Sequence, residues 1–216
     1  MNNAGTPPLA VAGLVLAAGA GRRMGTPKAL VRDASGVPWV VRTARLLAQA
    51  GCAPVVVVVG AEASRARATL ADESVEVVEA TDWPEGMGAS LRAGLTQLTS
   101  STAAAVVVLP VDVPGLTVAA VERVTSAAVE RVTSGAVEHV TSGARMDALV
   151  RATYDGAPGH PVVIGRAHWD GVIASARGDE GARAYLREHR ADQVECGDVA
   201  NGTDVDTPAN LPPGHH

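Results

Sequence analysis

Val11-Ala-Gly-Leu-Val-Leu-Ala-Ala-Gly-Ala-Gly-Arg-Arg-Met-Gly-Thr-Pro-Lys28 runs from an apolar segment straight into a glycine-rich, basic loop. The apolar part, Val11 to Ala17, reads as a buried strand. Gly19 and Gly21 let the following backbone turn its amides toward a ligand, and Arg22, Arg23 and Lys28 add positive charge. A loop of this kind after a strand is suited to a polyphosphate. Lys28 is the only lysine among 18 basic residues. Where arginine serves everywhere else, a retained lysine points to a need for a compact ammonium on a flexible stem.

Two common glycine patterns do not fit this loop. The dinucleotide fingerprint requires a third glycine where Met24 stands and an acid about twenty residues on, and Asp33 and Glu62 fall at the wrong distances. The Walker pattern fails because Lys28 is not preceded by glycine or followed by Ser or Thr. Met24 is expected to pack the loop down.

Outward from the loop, strand and helix patterns alternate. Pro38 to Ala50 has helical spacing and ends at Gly51, a C-terminal cap. Val55 to Val59 is five consecutive valines, the mark of a strand buried on both faces of a parallel sheet. Ser64 to Leu70 reads as helix, Val75 to Glu79 as strand, Gly88 to Leu98 as helix and Ala104 to Leu109 as a further buried strand. Ala148 to Tyr154 and Pro161 to Ile164 read as strands on either side of Asp155-Gly-Ala-Pro-Gly-His160. Asp179-Glu-Gly-Ala-Arg183 opens a helix running to about His189. This alternation predicts an α/β fold with a mostly parallel central sheet, whose ligands bind beyond the carboxyl ends of the strands.

Three eight-residue copies, Ala120 to Ala127, Ala128 to Gly135 and Ala136 to Gly143, follow. An eight-residue period rotates each copy by roughly 80° around a helix, so one straight helix cannot turn all the valines to one core face. A helix over one or two copies is expected, with a bend or mobile segment near Gly135 or Gly143. A tolerated duplication explains the repeat better than a partner-binding arm.

The 216 residues suggest one domain over 9–211, with a disordered N-terminus at 1–8 and a frayed tail at 212–216. Aromatics are 2% of the chain and phenylalanine is absent, so Val, Ala and Leu must fill the core and base-stacking platforms are not expected. A net charge of −5 argues against broad nucleic-acid binding. No apolar run approaches the roughly 20 residues of a membrane span. Cys52 and Cys196 have neither disulfide-framework nor metal-site spacing, and a reducing cytoplasm is the expected compartment.

Asp112, in Pro110-Val-Asp-Val-Pro114, follows a strand and is flanked by prolines. A carboxylate there, facing a phosphate loop, suits Mg²⁺; the same residue could instead cap the helix near Thr117. Asp204 and Asp206 are candidates for a second carboxylate, or for a turn cap before Pro208. Asp82-Trp83-Pro-Glu-Gly86-Met-Gly88-Ala-Ser90 offers amides and a hydroxyl for a nucleobase edge, although Ser90 could simply cap its helix.

Leu16 to Lys28 resembles the signature of the MobA-like nucleotidyltransferases, in particular the molybdenum cofactor cytidylyltransferases. The resemblance extends over roughly residues 10 to 211 through Glu85-Gly-Met with Ser90-Leu-Arg-Ala-Gly94, Asp112 with Pro114, Gly159-His160-Pro161, Gly178-Asp179-Glu-Gly-Ala-Arg183 and Asp204-Val-Asp206-Thr-Pro208. Asn210 departs from it, standing where an acid is usual. The resemblance implies a three-layer, Rossmann-like nucleotidyltransferase fold. It implies nucleotide contacts from Leu16, Ala17, Ala18, Gly19, Gly21, Arg23, Lys28 and Ser90, with Arg23, Lys28 and Asp112 catalytic. Asp112 and Asp206 would hold Mg²⁺, and His160, Asp179 and Arg183 would face the acceptor, although His160 could equally be a structural hydrogen-bonding residue. Ala18, where guanylyl-transferring relatives carry glycine, favours CTP. The implied partners are the triphosphate, a phosphorylated acceptor of the molybdopterin type and a molybdoenzyme. A sugar-phosphate acceptor, or a cofactor-binding protein without activity, are the alternatives.

Overall fold

The structure, a computed structural model, describes residues 9–134 and 146–216. Seven strands form one sheet in the order β3-β2-β1-β4-β6-β5-β7: β1 Val11–Ala17, β2 Val55–Val59, β3 Glu76–Glu79, β4 Ala105–Pro110, β5 Leu149–Tyr154, β6 Ala157–Gly165 and β7 Asp192–Glu195. β1 pairs in parallel with β2 and β4, and β2 with β3. Only β6 runs against its neighbours, β4 and β5, while β7 is parallel to β5. The sheet is mostly parallel, as the alternation of elements predicts.

The all-apolar strands are explained by layers on both faces. Successive strand residues point to opposite sides. Val11, Val15 and Ala17 join Val55, Val57 and Val59 in a core completed by Val40, Leu47, Val121 and Val124 of α1 (Trp39–Gln49) and α4 (Val118–Ser134). Ala12, Leu14 and Leu16 join Val56 and Val58 on the other face, under Leu91, Leu95 and Leu98 of α3 (Met87–Leu98). Trp169 and Val172 of α5 (Trp169–Ser175) and Leu186 of α6 (Arg183–Glu188) extend that second core. The short α2 (Ala63–Thr69) inserts Ala66 into the first. The three-layer expectation therefore holds.

Several expectations change in detail. Asp155 and Gly156 take positive φ values of 51° and 77° and form a two-residue hairpin turn, so Ala157 to His160, expected between the strands, already belong to β6. α5 and β7 are elements the sequence reading omits; β7 is short, with exposed Gln193 and Glu195 alternating. The expected helix from Asp179 starts late, because a 3₁₀ turn at Gly178–Glu180 ends at Gly181, φ 55°. α4 covers the first repeat and nearly all of the second, and the expected bend lies outside the described residues, as does the N-terminus 1–8. Thr117 accepts from the Ala120 amide at 3.2 Å and caps α4, a role Asp112 does not take. The tail is not frayed. Arg32 and His216 exchange backbone hydrogen bonds of 2.7 and 3.0 Å, and the indole of Trp39 donates to His215 Nδ1 at 3.0 Å.

Gly94 is where α3 touches the sheet. A Cβ there would lie 2.3 Å from Leu14 Cδ1 and 3.0 Å from Val58 Cγ2, with Leu14 itself fully buried. Gly94→Ala is expected to cost about 1–3 kcal/mol, the usual range for overpacking, as read from the urea midpoint.

Candidate functional site

The carboxyl ends of β1 and β4 lie side by side, since Leu16 is in register with Pro110. The glycine loop leaves one strand and Asp112 leaves the other, so both enter the same crevice. Gly21 takes φ 59°, and a Cβ on it would sit 1.9 Å from the Thr26 carbonyl oxygen. Its own carbonyl accepts from the amides of Met24 and Gly25, each at 2.9 Å, and folds the loop back. Met24 is buried with Val31, Trp39 and Val205, packing the loop down as expected.

Val205 joins distant parts of the chain. Its side chain packs on Met24, and its amide donates to the Asp112 carbonyl at 2.8 Å. The next residue, Asp206, is thereby carried to the loop. Lys28 Nζ donates to Asp112 Oδ2 at 2.8 Å and to Asp206 Oδ1 at 2.5 Å. Arg23 reaches the other oxygen of Asp206 at 3.0 Å. An ammonium bridging two carboxylates at one point uses the compactness that sets lysine apart from arginine. Burial works against the Lys28 charge, but hydrogen bonds to Asp112 and Asp206 outweigh it and hold its pKa above the ordinary value. The hydrogen bond from Lys28 holds the Asp206 carboxyl below its own.

A cavity of about 580 Å³ opens over this triad. Leu16, Ala18, Gly19, Gly21, Arg23, Lys28, Ser90, Asp112 and Asp206 all line it. Ala17 does not. As the next residue along the strand it points to the opposite face and is buried with Val15 and Val59. Ser90 sits inside α3, 5% exposed, and does not cap the helix, which starts after Gly86. Trp83, close against Gly60, also lines the cavity. Arg92 fixes the preceding turn by donating to Asp82 at 2.6 Å, Glu85 at 2.7 Å and the Ala176 carbonyl at 2.9 Å.

A second cavity of about 600 Å³ adjoins the first, and Asp112, Arg183 and Asp204 border both. His160 and Arg183 line it. Asp179 does not, lining the first cavity instead. The reason is close backbone contact: a Cβ on Gly86 would meet Asp179 Oδ1 at 2.5 Å, and one on Gly88 would meet the Arg177 backbone at 2.7 Å. Two small residues thus draw the 177–181 segment against the start of α3. Arg151, Arg187 and Arg190 also line the second cavity, and sequence reasoning missed them. A charge at position 151, inside an otherwise apolar strand, was the available signal. The Tyr154 hydroxyl donates to the His160 carbonyl at 2.7 Å. Burial, reinforced by Arg151 and Arg183, pushes the His160 imidazole down to about 4.

Asp112 and Asp206 converge on one point already occupied by a cationic group, and an all-oxygen donor pair fits Mg²⁺ or Mn²⁺. Such ions bind through one or two carboxylates and complete their shells with water and substrate phosphates. Among the described residues no group of three or more His, Cys, Asp or Glu is arranged for a metal. The buried free thiols Cys52 and Cys196 lie outside both cavities. Among the described residues no helix is long and apolar enough to cross a membrane.

A model of the MobA-like NTP transferase domain matches residues 13–194. The chain is 36% identical over 204 residues to a protein of Paenarthrobacter nicotinovorans named nicotine blue oxidoreductase, covering 91% of this chain and 92% of the relative. The crystal structure of Rv0371c from Mycobacterium tuberculosis H37Rv superposes with a TM-score of 0.71 at 27% identity, covering 92% and 94% of the two chains. A structure of Rv0371c in complex with manganese matches at 0.64 and 25%, covering 86% of each.

Two predictions follow from the geometry. In Lys28→Met, the Asp206 carboxyl should titrate higher than in the parent protein, as a carboxyl-detected NMR titration would measure. The unfolded chain protonates His160 near 6.5 and the folded one only near 4, so acid favours unfolding across that window. His160→Gln should therefore lose less stability than the parent between pH 6.5 and 4, measured by urea denaturation.

Proposed function

The chain belongs to the MobA-like NTP transferase family, and from that premise we propose that it transfers a nucleoside monophosphate, from CTP by preference, to the phosphate of a molybdopterin-type acceptor. Pyrophosphate is the second product. The observation that carries this reading is the Lys28–Asp112–Asp206 triad at the strand ends, under the glycine loop.

In this reading the triphosphate lies along Gly19 and Gly21, with Arg23 and Lys28 supplying positive charge. Ser90 and the first turn of α3 contact the base. The methyl of Ala18, beside Trp83 and Gly60, narrows that end and supports a pyrimidine. Asp112 and Asp206 would hold Mg²⁺, which would supply neutralisation of phosphate charge. The first cavity's own charges support a cation there. Its carboxylates Asp112, Asp179, Asp204 and Asp206 face Arg22, Arg23, Lys28 and Arg183, so protein cations alone leave a triphosphate poorly compensated. The manganese complex of Rv0371c is consistent with a divalent ion on this fold.

The acceptor enters the second cavity beside His160 and Arg183, and one of its phosphate oxygens attacks the α-phosphorus. The bond to pyrophosphate breaks as the new P–O bond forms. An ionised phosphate needs no strong general base, and catalysis reduces to alignment and charge stabilisation. The finished cofactor would pass to a molybdoenzyme in the cytoplasm.

A second reading rests on the Paenarthrobacter relative and makes the chain an oxidoreductase. Met24 in place of the third fingerprint glycine argues against a dinucleotide on this loop. Pyrophosphate release with CTP, Mg²⁺ and molybdopterin cofactor, set beside NAD(P)H oxidation with nicotine blue, separates the two. Pyrophosphate release is expected, with CTP preferred over GTP. Lys28→Ala and Asp112→Ala should each lower it by about 10² or more, as removal of a transition-state charge contact does. Full turnover in both variants would overturn the assignment.

A further inference from the structure

Asp112 and Asp206 are already engaged by the protein's own cations. Lys28 Nζ donates to Asp112 Oδ2 at 2.8 Å and to Asp206 Oδ1 at 2.5 Å, and Arg23 meets Asp206 Oδ2 at 3.0 Å. Three of the four carboxylate oxygens thus face a protein cation. Ammonium and ion would compete for the same space, since Mg²⁺ needs direct oxygen contacts of about 2.0–2.1 Å. Arg23 is 74% exposed, and an exposed pair of that kind opens at little cost. Lys28 is only 16% exposed, so its repulsion of a second cation is less screened. Lys28 is therefore the barrier.

Charge balance points the same way. The two carboxylates are offset in formal charge by Lys28 and Arg23, and Asp179 and Asp204 in the same cavity by Arg22 and Arg183. A divalent ion entering alone would leave that balance two charges positive. A triphosphate entering with it reverses the sign and offers Lys28 and Arg23 new oxygens to bond. The carboxylates are the fixed partners in such an exchange. Asp112 is tied through its carbonyl to the Val205 amide, and Val205, packed on Met24, holds Asp206 next to it. Lys28 is the movable one, a compact ammonium on a flexible four-carbon stem.

We infer that Lys28 is a built-in placeholder: in the protein without nucleotide its ammonium occupies the position of the divalent ion and keeps that ion out. The release of the ammonium rests on the transferase reading. There the triphosphate draws Lys28 onto its own oxygens, so ion and nucleotide bind together and neither carboxylate is left bare.

Mn²⁺ titration of the full-length protein without nucleotide, followed by the EPR signal of free Mn²⁺, tests the exclusion. Lys28→Met should bind Mn²⁺ more tightly than the parent by about tenfold or more, the usual effect of removing a neighbouring like charge. Lys28→Met combined with Asp206→Asn should lose that gain. Equal affinity in the parent and Lys28→Met would overturn the placeholder, and a gain retained in the double variant would overturn its position. The parent supplies a second readout that needs no variant. Lysine labelled with ¹³C at Cε gives one signal, because the chain has one lysine. CTP with Mg²⁺ should shift that signal, and the same Mg²⁺ alone should leave it in place. A signal that Mg²⁺ alone moves as far would overturn the exclusion. A tenfold gain in Lys28→Met beside a signal that CTP with Mg²⁺ leaves unmoved would sink the transferase reading and leave the exclusion standing.

Discussion

The architecture of the site depends on one ammonium held between two carboxylates. Lys28, Asp112 and Asp206 come from three separate stretches, and each is useless to the others until the sheet is formed. Lys28 arrives on a loop after β1 and Asp112 on the turn after β4. Asp206 comes from a strandless segment tied down next to it by Val205, through its packing on Met24 and its amide bond to the Asp112 carbonyl. The ion triad is partly shielded, with side chains 16%, 22% and 31% exposed, so its attraction is less screened than that of a surface pair. It also keeps two like charges close together that would otherwise repel.

This constraint connects the core to the chemistry. Parallel pairing of β1 with β4 brings the two chain turns to the same edge of the sheet, and buried layers on both faces leave that edge as the open surface. Glycines then decide how closely the surrounding backbone can approach. Gly21 allows the loop to fold under itself, and Gly86 and Gly88 admit the 177–181 segment. The result is two adjoining cavities with different character. Both carry charges of each sign, and the second adds an apolar wall of Leu91, Val108, Val162, Ile164 and Leu186.

The family relationship and the site geometry carry different parts of the functional argument. The match over 13–194 establishes a MobA-like NTP transferase domain. A relative with an oxidoreductase name on the same fold shows that membership alone leaves the reaction open. The positions of Lys28, Asp112 and Asp206 therefore weigh more for transfer chemistry than the overall likeness does.

Much of the fold was legible in the chain itself, because burial on both faces writes unbroken apolar runs. Val55 to Val59 and Val11 to Ala17 could be read as central strands with their correct limits, and the glycine-rich, basic loop announced an anion site. The weak elements were not legible. β7 and α5 are short and half-exposed, and the Asp155-Gly156 turn was passed over although the dipeptide is a strong hairpin signal. The site divided in the same way. Local sequence identified Lys28 and Asp112, since each follows an unmistakable strand. That Ala17 turns away from Leu16 follows from strand alternation alone. Whether Asp204 or Asp206 would meet Lys28 and Asp112, and that Arg151 and Arg183 line one cavity, were matters only of tertiary structure. A single buried valine and the close approach of distant backbones set those positions, and neither is encoded in the spacing of neighbouring residues.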